Sequence, residues 1–417
     1  MGCQAFSFVW RGRALPQQGL HSSHDPLLVG FRPPVPAETM TRSRTLDILR
    51  TFAVLLVLGR HIQMPLRGVD AWVVAFLDVW QRGGWVGVDL FFVLSGFLVS
   101  GLLFKEHQRS GALSVQRFLI RRGLKIYPPF YALLGVTVAF ALLGLPGYTQ
   151  LTSGGLLREL LFVQNYRFGL WNHTWSLAVE EHFYLLLPVL LVLLLKGNRG
   201  RSADPFGALP RVFLAVALAC LGMRLFTTFR SPFNYYVHDF PTHLRIDSLL
   251  FGVLLAYYQH YRPERFASIT RDRRALLFVM GCACFIPAFQ DPHEESWYLT
   301  TVGFSLFYLG AGLLVCAVHD LQPRPTWPVR LLSFLGARSY SIYLWHMPVA
   351  VWGRSVLLKV LPVWNWYVYA VMYFLGTFLL GLGMHWLLEG PVLRLRDRFF
   401  PSSPPVASVP ASMSPSP

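Results

Sequence analysis

Residues 46–64 read LDILRTFAVLLVLGRHIQM, an apolar helical stretch with Asp47 and Arg50 near one end and His61 near the other. Eleven residues separate Arg50 from His61, which at 3.6 residues per turn returns them to nearly the same face, about 16 Å apart along the axis. Asp47 falls within about 40° of that stripe. Turning such groups toward lipid costs about 2.5 to 3.5 kcal/mol each, so the seam is expected to face a protein interior or a wet cavity. The plainer alternative is that Arg50 snorkels to the headgroups and His61 sits at the opposite interface.

The rest of the chain places this stretch in a membrane. Its 417 residues are 54% hydrophobic and 14% charged, with a mean hydropathy of +0.43, far from the make-up of an ordinary soluble domain. The expected fold is all-α, a bundle of about ten transmembrane helices. Apolar runs of spanning length occur near 46–63, 85–104, 127–145, 174–195, 211–229, 245–261, 275–290, 299–318, 334–352 and 366–388. Pro287 interrupts the seventh run, while Arg338 and Pro348 bracket the ninth.

The formal net charge of +16 would suit a nucleic-acid partner if it were clustered, but Lys and Arg fall on alternate loops. Basic residues precede the first span, lie between spans two and three, follow spans four and six, and follow the last. The loop with Asp291, Glu294 and Glu295 has none. By the positive-inside rule both termini face the cytoplasm, and no nucleic-acid role is expected. Residues 1–40 lack the apolar core of a secretory signal and read as a disordered extension, with a start at Met40 as the alternative that N-terminal sequencing would decide. A transmembrane core is expected over 41–398, and 399–417 reads as a disordered Pro/Ser-rich tail. Cys220, Cys282, Cys284 and Cys316 lie in apolar runs as packing residues, and no metal spacing is present.

Five clusters carry candidate chemistry. In GGWVGVDLFFVLSGFLVSG, residues 83–101, Asp89 enters an apolar helix after a glycine cluster and reaches about the depth of His61, where it could fix the imidazole tautomer. Gly87, Ser95, Gly96, Ser100 and Gly101 suit close helix packing. In RFLIRRGLKIYPPFY, residues 117–131, a short interfacial helix would put Arg117, Arg121 and Lys125 on one face, with Arg122 beside them and Tyr127 following. This is either a phosphate site or a headgroup anchor. In NHTWSLAVEEHFYLLLP, residues 172–188, Glu180 and Glu181 need partners such as Tyr184. HDFPTHLRIDSLLFG places Arg245 and Asp247 at the outer mouth of span six, and LGARSYSIYLWHMPV sets Tyr340, Tyr343 and His346 at three-residue steps.

Taken together these segments resemble the membrane-bound acyltransferase family 3. Members carry LDxLR with a His following, here LDILR and His61; GVDLFFVLSGFL, here 87–98; RRxxRIxP, here RRGLKIYP; WSLxxEExFY, here WSLAVEEHFY from Trp175; and SYSIYLWH, here 339–346. Lys125 departs from the usual Arg, keeping charge but losing the fork, and Arg60 precedes His61 where an apolar residue is common. The resemblance implies transfer of an acyl group, most often acetyl from acetyl-CoA, to a hydroxyl of a carbohydrate, lipid-linked or small-molecule acceptor in the bacterial inner membrane. No permanently bound cofactor is implied. His61 would act as general base or transient acyl carrier, Arg50 would meet the donor, Asp89 would orient His61, and Glu180 would be a structural group held by Tyr184. Donor or substrate contacts would come from Arg117, Arg121, Arg122, Lys125, Tyr127, Ser95, Trp175, Tyr184, Arg245, Asp247, Tyr343 and His346. The rival class is a transporter or flippase of a lipid-linked sugar, against which stands the lack of an inverted repeat.

Overall fold

The computed structural model describes residues 43–65, 68–145, 151–198, 204–360 and 365–401. The N-terminal extension, the Met40 start and all but the first residues of the C-terminal tail lie outside the described residues. Among those residues the chain forms helices and no strands. In order they are α1 (Arg44–His61), α2 (Ala71–Gly83), α3 (Gly87–Ser110), α4 (Val115–Leu142), α5 (Ser153–Leu160), α6 (Trp175–Asn198), α7 (Leu209–Arg230), α8 (Tyr235–His238) and α9 (Thr242–Tyr261). There follow α10 (Pro263–Thr270), α11 (Arg274–Gln290), α12 (Phe304–Val318), α13 (Trp327–Ala337), α14 (Ser339–Pro348), α15 (Arg354–Val360), α16 (Trp366–Met384) and α17 (Gly390–Phe399).

Among the described residues six helical runs are long and apolar enough to cross a membrane, fewer than the ten expected from hydropathy. Charged side chains within the runs account for part of the difference. α1 carries Arg44, Asp47, Arg50 and Arg60, and α9 carries Arg245 and Asp247. α11 is only 17 residues long, with Pro287 inside it. The ninth expected span is divided at Arg338 into α13 and α14, and a π-helical turn at Val349–Gly353 follows Pro348. A second revision concerns α2 and α3, which a 3₁₀ turn at Gly84–Val86 joins into one helical run, Ala71–Ser110. A third concerns the basic segment: it forms no separate interfacial helix but the opening turns of the 28-residue α4, which runs on through Pro128 and Pro129.

α1 starts at Ser43, whose side chain accepts from the Leu46 N–H, and packs against α2, α3, α13 and α14. The α3/α9 pair is held by close backbone approach. A Cβ on Gly96 would lie 2.0 Å from the Leu249 carbonyl oxygen, and one on Gly252 2.2 Å from that of Val93. Lipid offers helices no hydrophobic drive to associate, so such contact carries the packing. Gly96→Leu is therefore expected to separate α3 from α9 and abolish the monodisperse peak of the detergent-solubilised chain on size exclusion. A normal elution profile would show that the two helices can move apart without loss.

Candidate active site

Three histidines meet at the last turn of α1. His61 is supplied by α1, His346 by α14, and His173 by a 3₁₀ turn, Asn172–Thr174, that leads into α6. The His346 Nε2 lies 3.3 Å from the His61 Nδ1, with ring centroids 5.0 Å apart. His173 stands edge-on to His346 at a centroid distance of 5.0 Å. Carbonyl oxygens fix the tautomers, since they only accept. The His61 Nδ1–H donates to the Val57 carbonyl at 3.0 Å, the His346 Nδ1–H to that of Tyr343, and the His173 Nε2–H to that of Leu344 at 3.1 Å. The Nε2 atoms of His61 and His346 and the Nδ1 of His173 therefore carry lone pairs.

The turn bearing His173 is tightly fixed. The Tyr343 hydroxyl donates to the His173 carbonyl at 2.6 Å and accepts from Ser176 at 2.7 Å. Beneath it the buried Glu159 of α5 accepts the N–H groups of Leu170 and Trp171 at 2.8 and 3.0 Å and the Thr174 hydroxyl at 2.9 Å. Burial pushes the Glu159 carboxyl up to about 7 against the pull of those donors.

From the histidines a polar stripe runs down α6. His173, Ser176, Glu180 and Tyr184 follow one another at three- and four-residue steps and so share a face. It spans eleven residue steps, as Arg50 to His61 does on α1, about 16 Å. The Ser95 Oγ lies 2.5 Å from the Tyr184 hydroxyl, and both hydroxyls hydrogen-bond with Glu180. Arg122 sits over the Tyr184 ring, its Cζ 5.6 Å from the centroid, and Arg122 and Lys125 both exert their charge on Glu180. Arg50, 3.3 Å from the Asp47 carboxylate, lies within electrostatic range of Arg122, so the two stripes converge at this end as well. Tyr127 donates to Glu181, and Tyr340 to the Ile126 carbonyl at 2.8 Å. Basic groups thus occupy one end of the track and imidazoles the other.

A second polar cluster lies among α3, α7, α9 and α12. Arg245 donates to Asp89 at 2.8 Å, and Arg224 to Asp247, with all four side chains at most 2% exposed. The Arg245 Cζ lies 3.8 Å from the centroid of Phe304 and 5.6 Å from that of Trp175. Trp175 itself stacks on Phe240 at 4.5 Å.

The family description "Acyltransferase domain" matches residues 44–386, which include both stripes and the three imidazoles. The chain belongs to the acyltransferase 3 family. It is 26% identical over 379 residues to the peptidoglycan O-acetyltransferase OatA of Listeria monocytogenes, covering 84% of this chain and 55% of the relative. It is 27% identical over 347 residues to the O-acetyltransferase OatA of Staphylococcus aureus, covering 78% and 53%. The chain spans about half the length of the curated relatives it matches. No solved structure matches it significantly.

Within this family member the expected site residues divide into groups. His61, Arg50, Ser95, Arg122, Lys125, Glu180, Tyr184, Tyr343 and His346 fall on the track. Asp89 does not orient His61, because Arg245 holds it, and Arg245 and Asp247 are sealed in ion pairs rather than standing at an open mouth. Arg117, Arg121 and Lys125 stand at four-residue steps along α4, but Arg117 pairs with Glu106 and Arg121 with Asp397 at 3.0 Å, while Lys125 and Arg122 act on Glu180. Arg60, the departure beside His61, binds Glu294 at 2.9 Å and Tyr235 at 3.0 Å. Burial raises the Glu294 carboxyl, but hydrogen bonds from Tyr235 and Arg60 outweigh it and hold the group at about 2. Sequence reasoning missed His173 and Arg224. The first sits in the quoted NHTWS turn, where a histidine directly ahead of an apolar helix was the available signal. Among the described residues no group of three or more His, Cys, Asp or Glu side chains has metal-binding geometry.

Proposed function

We propose that this protein transfers an acetyl group from acetyl-CoA to a hydroxyl of a carbohydrate, lipid-linked or small-molecule acceptor, in a bacterial inner membrane with both termini in the cytoplasm. The observation that carries the reading is the His61 Nε2 lone pair at one end of a polar track whose other end holds Arg122 and Lys125. The acceptor oxygen attacks the thioester carbonyl carbon, a C–O bond forms, and the C–S bond breaks with its electron pair going to sulfur. The hydroxyl proton passes to the His61 Nε2 and from there to the departing thiolate. Arg122 and Lys125 supply charge-assisted donors for the phosphates of the donor. The names of the relatives support the acetyl group, and the peptidoglycan in one of them supports a surface glycan as acceptor.

Membranes supplied with radiolabelled acetyl-CoA are expected to pass label to an extractable glycan, lipid or small molecule. Absence of any labelled product under conditions where the chain is present would reject the reading. The donor site has its own check. Arg122→Ala and Lys125→Ala should each raise the apparent KM for acetyl-CoA about tenfold with kcat nearly unchanged, the loss of one charge-assisted hydrogen bond. Arg121→Ala, which removes a surface pair with Asp397, should change it less than about twofold. An equal response from all three would return the segment to a headgroup anchor.

A further inference from the structure

We propose that His346 is the positioning partner of the His61 imidazole, the place that a carboxylate takes in other histidine-based acyl-transfer sites. This deepens the acyl-transfer reading above and rests on it. Asp89, the carboxylate expected in that role, is bound to Arg245. In its stead the His346 Nε2 faces the His61 Nδ1 at 3.3 Å.

The direction of that contact follows from the carbonyls. The Tyr343 carbonyl takes the Nδ1–H of His346, leaving its Nε2 as an acceptor, and the His61 Nδ1–H is then shared between the Val57 carbonyl and the His346 Nε2. This arrangement keeps the reactive Nε2 of His61 unprotonated and aims it away from its partner. When His61 takes the acceptor proton, the same Nδ1–H becomes charge-assisted, and the lone pair of His346 stabilises the imidazolium as it forms.

His346 is itself fixed for the task. It is fully buried on α14, which packs on α1, and the rings of Tyr343 and His173 stand 5.5 and 5.0 Å from its own. Tyr343 is anchored in turn by Ser176 and the His173 carbonyl. His346 touches the base rather than the reacting atoms, so its removal acts on turnover and leaves donor binding alone.

The test uses the full chain in lipid nanodiscs, radiolabelled acetyl-CoA as donor and a chitooligosaccharide as probe acceptor. His346→Phe and His346→Leu, which keep bulk without an acceptor, are expected to lower kcat about 100-fold, the upper range for losing an orienting partner, with the KM for acetyl-CoA within about threefold. His346→Gln, whose Oε1 accepts where the Nε2 does, is expected to recover about tenfold over His346→Phe. Rates within about threefold of wild type for Phe and Leu, or no recovery by Gln, overturn the proposal. Should Phe fail to insert, the Leu and Gln pair decides by itself. A wild-type chain that transfers no label either to the chitooligosaccharide or to any extractable product of its native membranes removes the acyl-transfer reading and this role with it, whereas label transfer that needs His61 but survives His346→Phe removes this role alone.

Discussion

His61→Ala is expected to cost at least about 1,000-fold in acyl transfer, the largest functional effect of any single substitution in the chain. Removing the imidazole takes away a lone pair that is free of a carbonyl partner and backed by the His346 ring. A positioned general base contributes about 10²- to 10⁴-fold, and the loss is expected on kcat because the proposed reaction has the donor's charged groups at Arg122 and Lys125, the other end of the track. Stability should change little. The side chain lies in the last turn of α1, is only half-buried, and satisfies the carbonyl of its own Val57. Expression and solubilised yield matching wild type, together with turnover at background, would fit this role. Turnover within tenfold of wild type would take His61 out of the mechanism and leave the track as a structural seam.

Much of this track was legible one helix at a time. The eleven-residue repeat from Arg50 to His61 follows from helical geometry alone, and so does the pairing of Glu180 with Tyr184 four residues on. What one helix cannot reveal is which neighbour it turns toward. Asp89 and Arg245 are 156 residues apart, and the depth of Asp89 matched His61 as well as it matched any group on α9. The same limit hid Arg224, whose partner Asp247 lies on another helix. Local chemistry misled at two points of a different kind. The run expected from residue 85 starts at the glycines, yet a 3₁₀ turn joins it back into α2, and the basic stretch expected as a short interfacial helix continues through the prolines of α4. His173 escaped because its turn was read as the approach to a span and its partners were sought inside the span.

The largest effect on stability is expected at Arg245. Arg245→Met should lower the stability of the purified chain by about 3–5 kcal/mol, enough to remove most folded protein, because it strands the Asp89 carboxylate with no water to solvate it. The four charges balance: two guanidiniums face two carboxylates, and Asp89 and Asp247 also repel one another through the cluster. Taking out one cation leaves a net negative charge in a site lined by Phe92 and Phe304. Asp89→Leu fails for the mirror reason, leaving Arg245 uncompensated. The combination of Asp89→Leu with Arg245→Met restores neutrality with apolar groups of similar bulk, and replacing a buried ion pair in that way is often neutral or stabilising. The double variant should therefore unfold at a temperature within a few degrees of wild type while each single variant falls far below it, a coupling read directly from a double-mutant cycle of thermal midpoints. The four charged groups bond to one another and not to the imidazoles, so the double variant is also expected to keep acyl transfer. Additive losses in the cycle would mean that Asp89 and Arg245 act separately, and a stable double variant without activity would bring this cluster into the chemistry after all.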